Sequence, residues 1–238
     1  MKLIAIHILV CGILYTNFLQ AQTARDYFLS GNSKLVLNDY KNAIKDLNKA
    51  IELDSNLKLA YISRGLAWDG LKDYKGALKD FSKAIEIEPK DDMAYYCRAD
   101  VKVELKDYKG ALKDYDKAIE VNKLSEAYSK RGLVKYYLKD YKSALEDYNK
   151  AFELGIWFSQ EYNERGLVKY SLNDYEGAIE DFTKGIEKDP KNADAYKNRG
   201  LANVKNGNKT GGCLDLNKAK ELGSADVIIQ IKKYCSDN

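Results

Sequence analysis

An eight-residue segment recurs along the chain at a nearly constant interval. DYKGALKD occupies residues 73–80 and again residues 107–114, and close variants begin at residues 39, 140 and 174. The tyrosines of the five copies are 34, 34, 33 and 34 residues apart, and Lys209 takes the equivalent place in a sixth, weaker copy. Such a period is typical of stacked arrays, because one unit cannot bury its apolar face alone. We therefore expect six repeated units.

Within a unit, apolar residues recur at helical spacing. In residues 58–91, Tyr61, Gly65 and Trp68 are three or four positions apart, and the same spacing resumes after Lys72-Asp73. This pattern predicts two helices of about four turns each, joined by a tight turn. Asp73 is placed to cap the second helix, and Pro89 is placed to end it.

Small and large residues occupy fixed places in each unit, counted from residues 24, 58, 92, 125, 159 and 193. The eighth place holds Gly31, Gly65, Ala99, Gly132, Gly166 and Gly200, and the twentieth holds Ala43, Ala77, Ala111, Ala144, Ala178 and Gly212. The fourth place is always tyrosine, and the twenty-fourth holds Leu47, Phe81, Tyr115, Tyr148, Phe182 and Leu216. Large side chains are expected to fill the space over small ones, and a larger residue at a small place should cost about 1–3 kcal/mol.

These places resemble the tetratricopeptide repeat family, whose pattern is W-x2-L-G-x2-Y, then A-x3-F, then A and P. The units read, for example, YISRGLAW, then ALKDFSKA, then P; tyrosine replaces the family's tryptophan, and arginine replaces its leucine. The resemblance implies an all-α, right-handed alpha-alpha superhelix of six helix-turn-helix repeats and a C-terminal capping helix. The repeats would be residues 24–57, 58–91, 92–124, 125–158, 159–192 and 193–223, followed by the capping helix and tail at 224–238.

An arginine at the seventh place and an aspartate at the twenty-third recur together. We expect an inter-repeat ladder in which each arginine pairs with the aspartate of the preceding unit, since a planar guanidinium suits a half-buried carboxylate. The pairs would be Asp46 with Arg64, Asp80 with Arg98, Asp114 with Arg131, Asp147 with Arg165, and Asp181 with Arg199. The alternative is that each arginine pairs within its own unit or faces water.

The family lines a concave surface with the second, fifth, ninth, twelfth and thirteenth places of the first helices. The resemblance thus implies a partner-binding groove that includes Ile62, Leu66, Asp69, Met93, Tyr96, Asp100, Glu104, Leu133, Tyr136, Tyr137, Asn163, Leu167, Tyr170 and Lys197. Its tyrosines would either anchor a protein or peptide ligand or pack on the neighbouring helix. The Lys and Asn residues with which some members clamp the carboxylate of a chaperone tail are absent, which disfavours that ligand.

Two further segments depart from the repeat. Gly155-Ile156-Trp157-Phe158 stands where other junctions have Glu-Pro-Lys or Asp-Pro-Lys, and it is expected to plug the helix ends rather than form an exposed partner patch. At the C-terminus, a capping helix is expected to turn Val227, Ile228, Ile231 and Tyr234 inward. Cys213 and Cys235 would either form a disulfide across this cap or remain buried thiols.

The first 21 residues have the order of a secretory signal peptide. Lys2 precedes an apolar stretch, residues 3–15, too short for the roughly 20 residues of a membrane-spanning helix, and cleavage is expected after Ala21. A lipoprotein signal with Cys11 acylated is the alternative. We therefore expect an exported protein, periplasmic or secreted, in a bacterium.

Removal of the signal would change the chemistry that is available. It would take away His7, the only histidine, and leave 38 basic against 36 acidic residues, a net charge of +2. Without histidine, Ser-His-Asp and Cys-His catalysis and His-containing metal sites are excluded, and the sequence has no CxxC or Gly-rich phosphate loop. We expect no enzyme activity, no catalytic residue, metal or cofactor, no nucleic-acid partner and no membrane span in the mature form.

The expected function is an exported scaffold or adaptor that binds a protein or peptide partner in its concave groove. The alternative is a non-catalytic subunit or chaperone-like assembly factor of an envelope enzyme complex. The identity of the partner and the oligomeric state stay open.

Overall fold

The computed structural model describes residues 23–235. The predicted signal peptide, with His7 and Cys11, lies outside the described residues, as do residues 236–238. Residues 23–235 form thirteen helices and no strand, which confirms the all-α fold. The first, α1, covers residues 23–36. The others are α2 (Tyr40–Leu53), α3 (Lys58–Gly70), α4 (Tyr74–Ile87), α5 (Asp92–Glu104), α6 (Tyr108–Val121), α7 (Ser125–Tyr137), α8 (Tyr141–Glu153), α9 (Ser159–Ser171), α10 (Tyr175–Lys188), α11 (Ala193–Lys205), α12 (Lys209–Glu221) and α13 (Val227–Tyr234).

The described residues divide into two compact units, with the boundary between Asn122 and Lys123. In the first unit α3 packs against α4 and α5 against α6; in the second, α7 packs against α8, α9 against α10, and α11 against α12. The second helix of a pair also packs against the first helix of the next, as α4 does against α5 and α8 against α9. Helix pairs therefore stack in repeats inside each unit, as the period predicts. None of the helices in residues 23–235 has the length and apolar content to cross a membrane.

The predicted packing of large on small residues forms the core of both units. The residues at the twenty-fourth place are all fully buried: Leu47, Phe81, Tyr115, Tyr148, Phe182 and Leu216. A Cβ atom on Gly65 would lie 2.6 Å from the Phe81 ring, and one on Gly166 would lie 2.6 Å from the Phe182 ring. The absence of a side chain at Gly65 and Gly166 therefore gives the large residue of the same unit its space.

The tight turn inside five of the six pairs, from α3–α4 to α11–α12, combines a residue of positive φ with a capping side chain. The backbone angle φ is 60° at Lys72 and Lys106 and 63° at Lys139, a conformation that ends many helices. The next residue caps the following helix, since Asp73 accepts a hydrogen bond from the Gly76 amide at 3.0 Å. The predicted cap at Asp73 is thus confirmed.

The second unit ends with α13. Val227 is fully buried against Leu216 and Ala219, and Ile231 and Cys235 pack at the edge of this cluster. Tyr234 is half-buried, but Ile228 is 42% exposed, so the prediction that Ile228 points inward is wrong. The reason is helical geometry: Ile231 is about one turn from Val227, whereas Ile228 is rotated by about 100° from it.

The cysteines Cys213 and Cys235 are joined. Their sulfur atoms lie 2.08 Å apart and their Cα atoms 5.6 Å apart. Of the two alternatives that the sequence allows, the structure thus has the disulfide, which ties α12 to the residue that follows α13.

Candidate partner-binding faces

The repeated arginines pair with the aspartate of their own unit. Nε and Nη2 of Arg64 each donate to one oxygen of Asp80 at 2.7 Å. The same fork joins Arg98 to Asp114, Arg131 to Asp147, Arg165 to Asp181, and Arg199 to Asp215, at 2.6–2.9 Å. The predicted inter-repeat pairs, Asp46–Arg64, Asp80–Arg98, Asp114–Arg131, Asp147–Arg165 and Asp181–Arg199, are therefore wrong, and the alternative of pairing within a unit is right.

Helix geometry explains this correction. Asp46 on α2 faces α1 of its own pair, where Ser30 and Lys34 donate to it at 2.5 Å. Asn48, two positions later, points roughly 200° away around the helix. It therefore faces α3 and accepts a hydrogen bond from Arg64 Nη1 at 2.6 Å.

Four of the arginines, Arg64, Arg98, Arg165 and Arg199, also link neighbouring pairs, through neutral side chains at the twenty-fifth place. Nη1 of Arg98 donates to Ser82 at 3.1 Å, and Nη1 of Arg199 donates to Thr183 at 3.2 Å. Arg165 reaches Asn149 in the same way, at 3.1 Å. Each contact joins a first helix to the second helix of the preceding pair.

The paired aspartates belong to the interior of the scaffold. Asp181 is fully buried between Arg165 and Lys169, whose Nζ lies 2.8 Å from the carboxylate. The hydrogen bond to Asp114, more than any other cause, raises the pKa of Arg98 above its ordinary value. These carboxylates already have their cations, so they are poor candidates for contacts with a partner.

In the first unit, the predicted groove residues lie on α3 and α5. We call their exposed or half-buried members, Leu66, Asp69, Met93, Tyr96, Asp100 and Glu104, the α3–α5 face. Leu66 and Met93 are exposed, and Tyr96 packs edge to face on Tyr115 with ring centres 6.0 Å apart. Ile62, by contrast, is buried in the cluster around Phe81. The prediction of Ile62 as a partner contact is therefore wrong, because its side chain fills the core.

Carboxylates crowd the α3–α5 face. Burial, and then the charge of Glu104, raise the pKa of Asp69 above its ordinary value. Asp100 accepts a hydrogen bond from the Tyr115 hydroxyl. Beneath them, burial and the charges of Asp100 and Asp69 raise the pKa of the Cys97 thiol to about 12. This thiol is therefore a structural group rather than a nucleophile.

In the second unit, the predicted groove residues present tyrosines. We call Leu133, Tyr136, Tyr137, Asn163, Leu167 and Tyr170 the α7–α9 face. The Tyr136 ring lies 5.6 Å from that of Tyr141 on α8, and the Tyr170 ring lies 5.3 Å from that of Tyr175 on α10. Both rings remain half-buried and Tyr137 is exposed, so packing on the neighbouring helix still leaves aromatic surface for a ligand.

Two of the predicted groove residues already have polar partners. Lys197 on α11 pairs with Asp194 at 2.6 Å and with Asp226, which precedes α13, at 3.0 Å. Asn163 accepts a hydrogen bond from Asn198 at 3.1 Å. Lys197 thus ties α11 to the segment that leads into the C-terminal helix.

A polar cluster on α9 was not predicted from the sequence. Glu164 accepts hydrogen bonds from the Tyr148 hydroxyl at 3.0 Å and from Gln160 at 2.9 Å, and burial raises its pKa. Oε2 of Glu161 is buried with no hydrogen-bond partner among the described residues. The available signal was a glutamate at the third place, where four other units have a buried alanine.

The loop that joins α8 to α9 is partly a plug over the helix ends, as predicted, and partly an exposed apolar patch, which was the alternative. Ile156 is buried and plugs the helix ends, whereas Trp157 is 56% exposed and Phe158 is 65% exposed. The Trp157 indole nitrogen donates to the Phe152 carbonyl at 3.0 Å, which holds the ring in place on the surface.

Comparisons with solved structures support the same architecture. YrrB, described as a TPR protein with an unusual peptide-binding site, is 25% identical, with a TM-score of 0.69 over 79% of this chain and 97% of that chain. Pseudomonas aeruginosa pilF is 16% identical, with a TM-score of 0.80 over 90% of this chain and 98% of that chain. MamA is 24% identical, with a TM-score of 0.62 over 72% and 94%. The last two likenesses concern the fold alone.

Family models give the assignment. Models described as tetratricopeptide repeat match residues 25–57, 59–91, 94–123 and 125–154, and one described as TPR repeat matches residues 166–207. No match was found among the curated proteins. Since the matched segments together cover well over half of the sequence, the chain belongs to the tetratricopeptide repeat family.

Proposed function

We propose that the protein is a non-catalytic scaffold that binds a protein or peptide partner on the faces of its first helices. Proteins of this family are generally protein–protein interaction scaffolds, and YrrB, which is similar over most of this chain, has a peptide-binding site. The observation that carries the proposal is the contrast between interior and face. The interior aspartates are paired with arginine, and three of them with lysine as well, while leucine, methionine and tyrosine remain accessible on the α3–α5 and α7–α9 faces.

Tyrosine and methionine suit this role. Tyrosine offers a large contact area at a low cost in side-chain entropy, and its hydroxyl can still bond to a ligand. Methionine adapts to ligands of different shape. Because helix packing holds these residues in place before a partner arrives, binding would cost little reorganisation.

Affinity capture with paired variants tests the proposal. Residues 22–238 would be used as bait in an envelope extract, beside a Tyr96→Ala/Tyr136→Ala/Tyr170→Ala variant whose helicity and melting are checked. A Trp157→Ala/Phe158→Ala variant is the matched control, since it removes exposed aromatic rings outside the two faces. We expect the partner to be lost only from the tyrosine variant. Loss only from the control would place the site in the α8–α9 loop and contradict the proposal.

We also propose that the protein is exported. The disulfide between Cys213 and Cys235 fits an oxidising compartment, and the first 21 residues have the order of a cleavable signal. Protein from the envelope fraction should begin at Gln22 by N-terminal sequencing and show one free thiol, that of Cys97, when denatured without reductant. Protein that is found in the cytosolic fraction, still begins at Met1 and has Cys97, Cys213 and Cys235 all as free thiols would overturn this assignment.

A further inference from the structure

The α3–α5 face combines acidic and apolar side chains in one place. Asp69 is close to the end of α3, and Asp100 and Glu104 lie one turn apart on α5, which contacts α3. Leu66 lies about one turn before Asp69, and Tyr96 one turn before Asp100. Any ligand on this face therefore meets carboxylates and apolar surface together.

The carboxylates here differ from the interior ones in their pairing. Asp80 has Arg64, and Asp114 has both Arg98 and Lys102. Asp69 and Glu104, in contrast, take part in no ion pair among residues 23–235. Burial, and then repulsion by the negative charge of Glu104, raise the pKa of Asp69 above its ordinary value.

A positive charge from outside would relieve this repulsion. A cation placed between two carboxylates is attracted by both, and a half-buried site screens that attraction less than open water does. The exposed Leu66, about one turn before Asp69 on α3, offers apolar contact area to the rest of the ligand.

We propose that the α3–α5 face binds a segment of a partner protein that presents a lysine or arginine side chain next to a large apolar one. The cation would lie against Asp69 and Glu104, and the apolar side chain against Leu66. This inference rests on the proposed function and names the chemistry of its ligand at one face. It does not extend to the α7–α9 face, where tyrosines replace the carboxylates.

Binding of a matched set of probe peptides tests the charge preference. The probe is a short fluorescein-labelled peptide of leucine, alanine and lysine, compared with counterparts in which every lysine is replaced by glutamine or by glutamate. Fluorescence anisotropy with residues 22–238 should show the lysine peptide binding about tenfold more tightly than the glutamine peptide, with the difference reduced at high salt. Equal affinity for the lysine and glutamate peptides would overturn the inference.

Paired variants locate the effect. Asp69→Asn/Glu104→Gln should remove most of the preference for lysine. Glu52→Gln/Glu86→Gln removes the same net charge from exposed positions of α2 and α4, whose glutamates pair with Lys49 and Lys83, and should leave the preference unchanged. An equal loss in both variants would show attraction by net charge alone and would sink the assignment.

Zero-length cross-linking gives an independent location. A carbodiimide joins the peptide's lysine amine to a nearby carboxylate as an amide, and mass spectrometry identifies the carboxylate. We expect cross-links at Asp69 or Glu104; cross-links confined to other residues would contradict the proposal.

Capture of the natural partner distinguishes a failure of this inference from a failure of the proposed function. If it is lost from the tyrosine variant but held normally by Asp69→Asn/Glu104→Gln, and the peptides show no charge preference, the inference fails and the proposed function stands. If every face variant retains the partner, the proposed function itself is wrong.

Discussion

The two units build the same helix pair and present different surfaces with it. The twelfth place is Asp69 on α3 but Tyr136 on α7 and Tyr170 on α9, while the eighth place is glycine on all three helices. The eighth place is buried against the large residue of its own pair, whereas the twelfth stays partly accessible. Packing thus constrains one set of places and leaves the other free to vary with the ligand. A repeat scaffold can therefore change its binding chemistry without changing its core.

The two units also differ in the carboxylate that the buried tyrosine at the twenty-fourth place contacts. The Tyr115 hydroxyl in the first unit donates to Asp100, which belongs to the α3–α5 face. The Tyr148 hydroxyl in the second unit donates to Glu164 on α9, the first helix of the next pair. Burial is the main cause that raises the pKa of both tyrosines. The same core position thus supports a carboxylate of its own helix pair in one unit and a carboxylate of the next pair in the other.

Truncation of the equivalent core rings gives the largest expected effect. Phe81→Ala in the first unit and Phe182→Ala in the second should each lower the free energy of unfolding by about 3–5 kcal/mol, since both rings are fully buried. Urea denaturation followed by circular dichroism measures the loss, with Leu214→Ala at an exposed position as control. Losses that differ widely would break the claim that the two cores are equivalent.

Removal of one guanidinium is expected to cost somewhat less. Arg165→Met leaves the buried Asp181 with Lys169 alone, and Arg98→Met leaves Asp114 with Lys102 alone. Each should destabilise its unit by roughly 3 kcal/mol, because the buried carboxylate loses the forked partner that bonds both of its oxygens. The double variant Arg165→Met/Asp181→Leu should recover much of the loss. If it were as unstable as the single variant, packing of the arginine stem rather than charge would explain the effect.

The pH dependence of stability tests the two carboxylates whose pKa is raised mainly by burial, Asp69 in the first unit and Glu164 in the second. The folded-state pKa of Glu164 is raised by burial, so the ionised group costs stability at neutral pH. That cost disappears as the pH falls through the raised pKa toward the unfolded value of about 4.3. Relative to Glu164→Gln, the parent protein should therefore gain stability on acidification from neutral pH.

Asp69→Asn should give the same sign in the first unit, because the pKa of Asp69 is also raised. Thermal melts between neutral and acidic pH measure both differences, with Glu86→Gln as an exposed control. A parent protein that lost stability relative to Glu164→Gln on acidification would show that the carboxylate is stabilised by its two hydrogen bonds more than it is penalised by burial.

The turn lysines give the smallest expected effect. Lys106→Gly in the first unit and Lys139→Gly in the second should each stabilise the protein by roughly 0.5–1 kcal/mol, because glycine adopts a positive φ without steric cost. Equal gains would confirm that the two units share one turn geometry. A Lys109→Gly substitution at the start of α6, where the backbone is helical, is the control and should destabilise.

Much of the scaffold followed from the sequence alone. The period, the two helices of each unit, the cap at Asp73 and the packing of Phe81 over Gly65 are local patterns, and each repeats often enough to exclude accidental spacing. Periodicity of this kind does not depend on how the helices pack together, because the side chains of one helix lie on fixed sides of that helix.

Only the tertiary structure decided which repeated residue meets which. Arg64 is 16 residues from Asp80 and 18 from Asp46, and so small a difference in separation does not choose between them. The direction in which each aspartate leaves its helix does choose: Asp46 faces α1, and Asn48, on the other side of α2, faces Arg64. The burial of Ile62 and the exposure of Ile228 were decided in the same way, by which neighbouring helix covers each side. In a repeat protein every residue has equivalent partners one period away, so the sequence determines the kinds of contact and the packing selects the pairs.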